Sequence, residues 1–557
     1  MEEILLNRPG KKIILLGNEA IVRGALEAGV NFVSTYPGTP ASEIGNTFFK
    51  LSQNKSYKGY FEFSTNEKVA LEAGIGASFS GLKTLVAMKS FGLNVCLDSL
   101  IPFVYTGVKG PTVIIVADDP SCHSSAQSEQ DSRFIASAAH IPILEPSDPQ
   151  ECKDFTKLAF QISEKFKIPV MIRTTTRVAH QKMPVKIEKL PEKGAKLLKG
   201  RFVKDPKKFV TLPPRVLEMK KELLEKIEKI REFSEKSPTN YEFNRITNKK
   251  IGIIASGISY LYVKEALKEL DLNLPVLRLG FFYPLPEKKI KNFIKRLDAV
   301  LIVEELEPYL EREVERLAKA VNCKLGVIGK KLLPETGELK PEIVTFAVAK
   351  FTNKKLKIEN LLNPALSQKG GGKLKIPRRM PRLCPGCPYW LVVSAIKKAV
   401  DTKKVIFGGE IGCYMLFGTP AVNMQDYLSC MGSSVGIAHG VKKAADKQKL
   451  IAFVGDSSFF HAGIPALINT VFNKSNPLII ILENQTTAMT GLQPHPGAPS
   501  IPNGIKIENI VRACGVKHLK IIDPVNQEEF IETIKEFLEK KEVSVIIVCK
   551  PCIQIKK

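Results

Sequence analysis

At 557 residues the chain is longer than one ordinary core, and at about 100 to 200 residues per domain it points to three or four domains. Hydrophobic residues make up 44% and charged residues 25%, and no apolar run approaches the roughly 18 residues of a bilayer span, so membrane insertion is not expected. The net charge of +25 is spread along the chain with no nucleic-acid motif beside it; it reads as a Lys/Glu-rich surface able to attract acidic partners, not as a nucleic-acid footprint. The opening MEEILLNRPGKK lacks a basic stretch followed by an apolar core and a small-residue cleavage site, and a cytoplasmic location is expected.

In chain order, residues 1–180 alternate strand-like runs with helical segments: KKIILLG, a helix over 20–28, NFVSTYP, a helix from about Glu67, TLVAMKS, TVIIVAD and IPVMIRT. That alternation predicts a parallel sheet covered by helices. Residues 181–245 turn rich in Lys, Glu and Pro, with the charged helical stretch VLEMKKELLEKIEKIREF, and read as a connecting segment with little core of its own. A second α/β domain spans 246–351 through KIGIIASG, LPVLRLG, AVLIVEE and KLGVIG. Residues 352–382, with Gly370, Gly371, Gly372 and Pro377, read as a linker. A third α/β domain, 383–557, follows with strands KVIFGG, LIAFVG, PLIIILEN and VSVIIVC.

The most informative stretch is GDSSFFHAGIPALINTVFNKSNPLIIILENQTTAMTG, residues 455–491. LIAFVG and PLIIIL are buried strands, and the helical spacing between them, over 462–473, makes a βαβ unit whose strands run parallel with a right-handed crossover. Asp456 and Asn484 then follow the carboxyl ends of the two strands. If those strands are neighbours, about 4.8 Å apart, the two side chains can share a small cation. A carboxylate, an amide oxygen and a carbonyl near Thr486 form an all-oxygen set suited to Mg²⁺ holding a diphosphate, with Gly455 and Ser457 beside it, the glycine letting the backbone approach the phosphates.

The spacing from Asp456 to Asn484 resembles the thiamine-diphosphate motif of transketolase-like and decarboxylase enzymes. HAGIPALINTVFNKSNP and QTTAMTG resemble more closely the α-subunit family of indolepyruvate ferredoxin oxidoreductases. The resemblance covers essentially the whole chain. It implies a pyrimidine-binding domain, a transketolase-C-terminal-like domain and a diphosphate-binding domain. The implied reaction turns a 2-oxoacid, CoA and oxidised ferredoxin into acyl-CoA, CO₂ and reduced ferredoxin, with indolepyruvate as the family's named substrate and a smaller β subunit as partner in a hetero-oligomer.

TYPGTP, residues 35–40, and STNEKVALEAGIGA, residues 64–77, resemble the pyrimidine-binding signature. There a buried carboxylate shares a proton with the aminopyrimidine. Glu67 and Glu72 compete for that role; the spacing to Gly76 favours Glu67, and whichever does not serve is an ordinary helix charge. Thr39 is expected to line the substrate cavity. In DDPSCHSSAQSEQDSR, also similar to the family, His123, Ser124 and Arg133 stand out; Arg133 either pairs with the substrate carboxylate or braces a loop. His461 is either a pocket residue or a satisfied core histidine.

Eleven cysteines include two close pairs, Cys384/Cys387 and Cys549/Cys552, which in a reducing compartment suggest metal or redox chemistry. The arrangement of Cys384, Cys387, Cys413 and Cys552 resembles the four cysteines of other oxoacid oxidoreductases and implies a [4Fe–4S] cluster, the one-electron relay that ferredoxin reduction requires; zinc or no metal is the alternative. The family's usual C-x-x-C-x-x-C-x-x-x-C-P ferredoxin runs do not occur here, so a separate ferredoxin-like polypeptide is expected to take the electrons, unless the chain is truncated. Two rival readings remain: a non-oxidative thiamine decarboxylase, which needs no cluster, and a non-catalytic scaffold, which the intact GDS and ENQT elements disfavour.

Overall fold

The computed structural model describes residues 2–53, 57–191, 200–244, 250–355, 382–444 and 447–555. The chain divides into two compact units, Met1–Leu374 and Lys375–Lys557.

The first unit is built on a seven-stranded sheet in the order Phe281–Tyr283, Ile143–Leu144, Val170–Thr175, Thr112–Asp118, Thr84–Lys89, Phe32–Thr35, Tyr60–Phe63. Its neighbouring strands run parallel except at the Phe281–Tyr283 edge. TVIIVAD is buried at every position, as a strand covered on both faces must be. A five-stranded sheet follows, ordered Gly326–Ile328, Ala299–Val303, Ile251–Ser256, Val276–Leu279, Asn240–Phe243, the last pairing antiparallel.

The two domains expected at 1–180 and 246–351 are not separate bodies. Phe281–Tyr283 leaves the second sheet's region to pair with Ile143–Leu144 of the first, and a single apolar core runs through both. Nor is 181–245 a bare connector. Lys182–Lys186 pairs antiparallel with Lys12–Leu16, and helix Arg215–Lys236 buries Met219, Leu223, Ile227 and Ile230, a three-to-four-residue stripe hidden within a strongly charged composition. Most of the predicted linker, including its glycines, lies outside the described residues.

The second unit is an all-parallel six-stranded sheet ordered Tyr427–Leu428, Val405–Gly409, Lys449–Gly455, Leu478–Glu483, Ser544–Cys549, His518–Ile522. The predicted helix over 462–473 begins earlier: Asp456–Ser458 is helical, Phe459–Gly463 widens to a π turn, and Ile464–Phe472 continues. Pro465 has no N–H for the α-helical ladder, which accounts for the wide turn just before it. Among the described residues no helix is long and apolar enough to cross a membrane.

Candidate active site

In the second unit Gly455 pairs with Leu482 on the next strand, which brings Asp456 and Asn484 together at the carboxyl edge. Asp456 is buried, and its Oδ2 accepts hydrogen bonds from the backbone N–H of Asn484 (2.9 Å) and Gln485 (2.8 Å); Oδ1 accepts from Ser457 N–H (2.8 Å). His495 Nε2 stands 3.1 Å from the same carboxylate, off the line of a full hydrogen bond, while its Nδ1 accepts from Gly497 N–H. The Asn484 amide donates to Tyr389 Oη at 2.7 Å, and its Oδ1 accepts from Thr486 N–H at 3.1 Å. Thr487 Oγ1 donates to Ser457 Oγ at 3.1 Å, closing the loop over the strand end. The set fits a hard divalent cation: the Asp456 carboxylate and the Asn484 amide oxygen are fixed by backbone donors and retain lone pairs. Gly455 also lies against a side chain of its own unit. A Cβ there would lie 2.9 Å from Tyr414 Cε1, so the glycine makes room for a tyrosine.

The strands flanking this pair carry the cysteines. Cys413 follows Val405–Gly409 on one side, and Cys552 follows Ser544–Cys549 on the other, with Cys552 N–H bonded to Asn484 O at 3.0 Å. Burial and the neighbouring Cys387, Cys552 and Cys384 push the Cys413 thiol up to about 11; burial, Cys384 and Cys552 likewise raise Cys387. Cys413 and Cys387 each feel the sulfurs of Cys384 and Cys552, which are themselves 168 positions apart in sequence. Among the described residues no three His, Cys, Asp or Glu close on a point as around a single metal ion. A four-iron cluster asks for less, because each thiolate holds a different iron, and four cysteines are a donor set of the kind that such a cluster takes. Tyr389, directly after LCPGCP, stands between the oxygen donors and the thiols: its hydroxyl accepts from the Asn484 amide, and burial, then Asp456, Cys413 and Cys387, raise its pKa.

In the first unit Glu67 opens helix Glu67–Phe79, capped by Asn66 Oδ1 on Val69 N–H (2.8 Å), and is buried. It lies against Gly92, where a Cβ would come 2.4 Å from Glu67 Cγ. Glu72, five residues on, faces outward, 2.9 Å from Lys68 and 2.7 Å from Ser99. Thr39 sits in the turn after Phe32–Thr35 with its Oγ1 3.5 Å from Ser42 Oγ. Both segments lie at the carboxyl edge of the seven-stranded sheet.

Three family models match successive parts of the sequence. That described as pyruvate flavodoxin/ferredoxin oxidoreductase, thiamine diP-bdg, matches residues 23–237; the indolepyruvate oxidoreductase domain matches 243–380; and the thiamine pyrophosphate enzyme C-terminal TPP binding domain matches 410–548. Indolepyruvate oxidoreductase subunit IorA of Methanothermobacter marburgensis is 43% identical over 99% of this chain and 88% of its own length. The IorA subunit of Pyrococcus horikoshii is 43% identical over 99% of this chain and 87% of its own. The chain belongs to the IorA family of indolepyruvate oxidoreductase subunits. It is thus a thiamine-diphosphate-dependent 2-oxoacid oxidoreductase subunit of the α/β architecture expected. Among solved structures, a 2-oxoglutarate:ferredoxin oxidoreductase from Magnetococcus marinus is 17% identical with a TM-score of 0.48, covering 61% of this chain and 65% of that one.

In this IorA-family chain Arg133 takes the bracing role. The residue is 1% exposed, its guanidinium bonded to Glu145 (2.7 Å) and Glu304 (3.1 Å) and stacked 4.7 Å over Phe282, so it ties the first sheet to the second. His123 is half-exposed, 3.6 Å from Glu338, on the wall of a 570 Å³ cavity shared with Arg177, His180 and Tyr262. His461 is buried in the π turn. Sequence reasoning missed Glu410, Tyr414 and His495. Glu410 is fully buried at the end of Val405–Gly409, accepts from Tyr414 Oη and from the N–H of Gly432 (2.6 Å) and Gly455 (3.3 Å), and is pushed up to about 7 by burial. A carboxylate closing the strand-like GGE before IGC, and a histidine in the PHP after ENQT, are the signals that mark two of them.

Proposed function

We propose that the chain oxidatively decarboxylates arylpyruvates, indolepyruvate among them, with CoA as acyl acceptor and ferredoxin as electron acceptor, in a cytoplasmic hetero-oligomer with a smaller β subunit. What carries this reading is the row of strand ends in the second unit: Cys413, Asp456, Asn484 and Cys552 follow four successive strands, with Tyr389 between the oxygen donors and the thiols. Bound thiamine diphosphate supplies the nucleophilic carbon and electron sink for decarboxylation, and a [4Fe–4S] cluster supplies a one-electron relay.

The residues divide the remaining work. Asp456, Asn484 and Thr486 would hold Mg²⁺, with Gly455 and Ser457 shaping the diphosphate loop. Glu67 would share a proton with the aminopyrimidine, a task suited to a buried carboxylate and not to exposed Glu72. Thr39 would line the substrate cavity, and His461 would lie behind the GDS loop. Cys384, Cys387, Cys413 and Cys552 would hold the cluster; their approach to one another favours the oxidative reading over a simple decarboxylase, which has no use for them.

The test is turnover of a panel of 2-oxoacids by the anaerobically purified complex. Arylpyruvates are expected to be consumed fastest, with strict dependence on CoA and ferredoxin. Aldehyde release without ferredoxin reduction would overturn the reading in favour of a non-oxidative enzyme.

A further inference from the structure

Strand Thr84–Lys89 lies near the middle of the seven-stranded sheet, between the strand that leads into TYPGTP and the strand that leads into DDPSCHSS. It ends in a lysine for which the chemistry above has no use. The Lys89 side chain is 9% exposed. Its stem fills the space beside Gly38, where a Cβ would lie 2.8 Å from the Lys89 Cβ, and its ammonium sits 5.2 Å over the Phe91 ring. The ammonium donates to Ser124 O at 2.8 Å.

Its carboxylate neighbour, Asp119, stands 3.5 Å away and is already occupied: Ser124 N–H (2.8 Å), Ser125 Oγ (2.6 Å) and Thr176 Oγ1 (2.7 Å) all donate to it. Three N–H donors thus share one short hydrogen bond and one long ionic contact. Burial lowers the Lys89 pKa, and Asp119 opposes this only in part, so the position is short of negative charge. Helix Ser90–Thr106 begins at the next residue with no side-chain cap, which adds the positive end of a long helix. Two residues further, Gly92 makes room for Glu67. A buried cation, an uncapped helix start, the TYPGTP turn and the glutamate assigned to the cofactor therefore meet at one point of the sheet edge.

We propose that Lys89 receives the carboxylate of the 2-oxoacid substrate, the task that sequence reasoning offered to Arg133. This rests on the 2-oxoacid reading above and names the residue that recognises the feature common to all such substrates. An ammonium–carboxylate contact out of water binds with the strength of a charged hydrogen bond, and the apolar remainder of the substrate is left to other walls.

The test uses the holoenzyme complex with Lys89→Met, which keeps the buried stem and removes the charge. The KM for the preferred 2-oxoacid is expected to rise about 10- to 100-fold, the range of a lost charged hydrogen bond. Thiamine-diphosphate affinity, read by calorimetry, is expected to stay unchanged, and Lys89→Arg is expected to restore much of the KM. An unchanged KM in Lys89→Met, or equal losses of substrate and cofactor binding, would overturn the assignment and leave Lys89 as a brace for the 119–125 loop. Should Lys89→Met not fold, Asp119→Asn decides: with the competing anion gone KM should fall, and an unchanged or raised KM counts against Lys89. A wild-type complex that turns over no 2-oxoacid would refute the functional reading itself and this assignment with it.

Discussion

Replacing Asp456 tests the cation site and the strand clamp at once, because the structure gives its carboxylate two duties. It is the anionic member of the proposed Mg²⁺ set, and it gathers the N–H groups of Ser457, Asn484 and Gln485 at 2.8–2.9 Å. Asp456→Ala leaves those three donors without their acceptor. Asn484 and Gln485 are half-buried, so water replaces part of what is lost, and the low end of the usual penalty applies: about 1 kcal/mol per donor, or roughly 3 kcal/mol for the second unit. Asp456→Asn keeps an oxygen for two of the three and is expected to lose about 1 kcal/mol. Both remove the charge. Mg²⁺-dependent thiamine-diphosphate affinity should therefore fall by at least about 100-fold in each, beyond the 10- to 100-fold typical of residues that only support a ligand. Calorimetric titration at saturating Mg²⁺ reads the affinity, and denaturant unfolding without cofactor reads the clamp. A folded Asp456→Ala protein binding the cofactor within about tenfold of wild type would refute the cation assignment. Equal stability of all three proteins would refute the clamp.

Glu67→Gln is expected to abolish turnover while the cofactor still binds, since an amide fills the space against Gly92 but cannot pass a proton; loss from Glu72→Gln instead would move the role to that residue. Cys387→Ser should bleach the iron–sulfur absorption and stop ferredoxin reduction, and an iron-free wild-type protein reducing ferredoxin at full rate would rule the cluster out. Burial raises the Glu305 carboxyl from 4.5 to about 7, so the folded chain binds the extra proton between those values and loses stability as pH rises through that window. Glu305→Gln needs no proton, and its unfolding midpoint relative to wild type should climb between about pH 5 and about pH 8; a difference flat with pH would refute the raised value.

The strands that carry the site are legible in sequence because they are long, β-branched and followed by turn residues: LIAFVG, PLIIILEN and VSVIIVC appear where expected, and their adjacency brings Asp456 beside Asn484. Phe281–Tyr283 and Ile143–Leu144 are too short for any periodicity to show, so the merging of the first two lobes was invisible. Helix Arg215–Lys236 hides its apolar stripe behind lysines and glutamates, which is why it read as connector. The roles of single polar residues depended on tertiary neighbours. Arg133 has the chemistry of a carboxylate receptor, and only the carboxylates of Glu145 and Glu304, brought from 12 and 171 positions away, turn it into a brace. Lys89 gave no local sign, since it owes its setting to the loop after the adjacent strand, and the GGE that marks Glu410 does not show that its partners come from Gly432 and Gly455.

The strand Phe281–Tyr283 also sets how this chain can be recombined or expressed in parts. A fragment ending anywhere in 187–240 would leave Ile143–Leu144 as a bare sheet edge, open to pairing with other chains, and would strip Glu304 from Arg133 inside what was the core. The two lobes are therefore inherited together. In a hybrid with a related subunit, a crossover after Phe351, where the last described helix of the first unit ends, leaves the core shared by the two lobes intact.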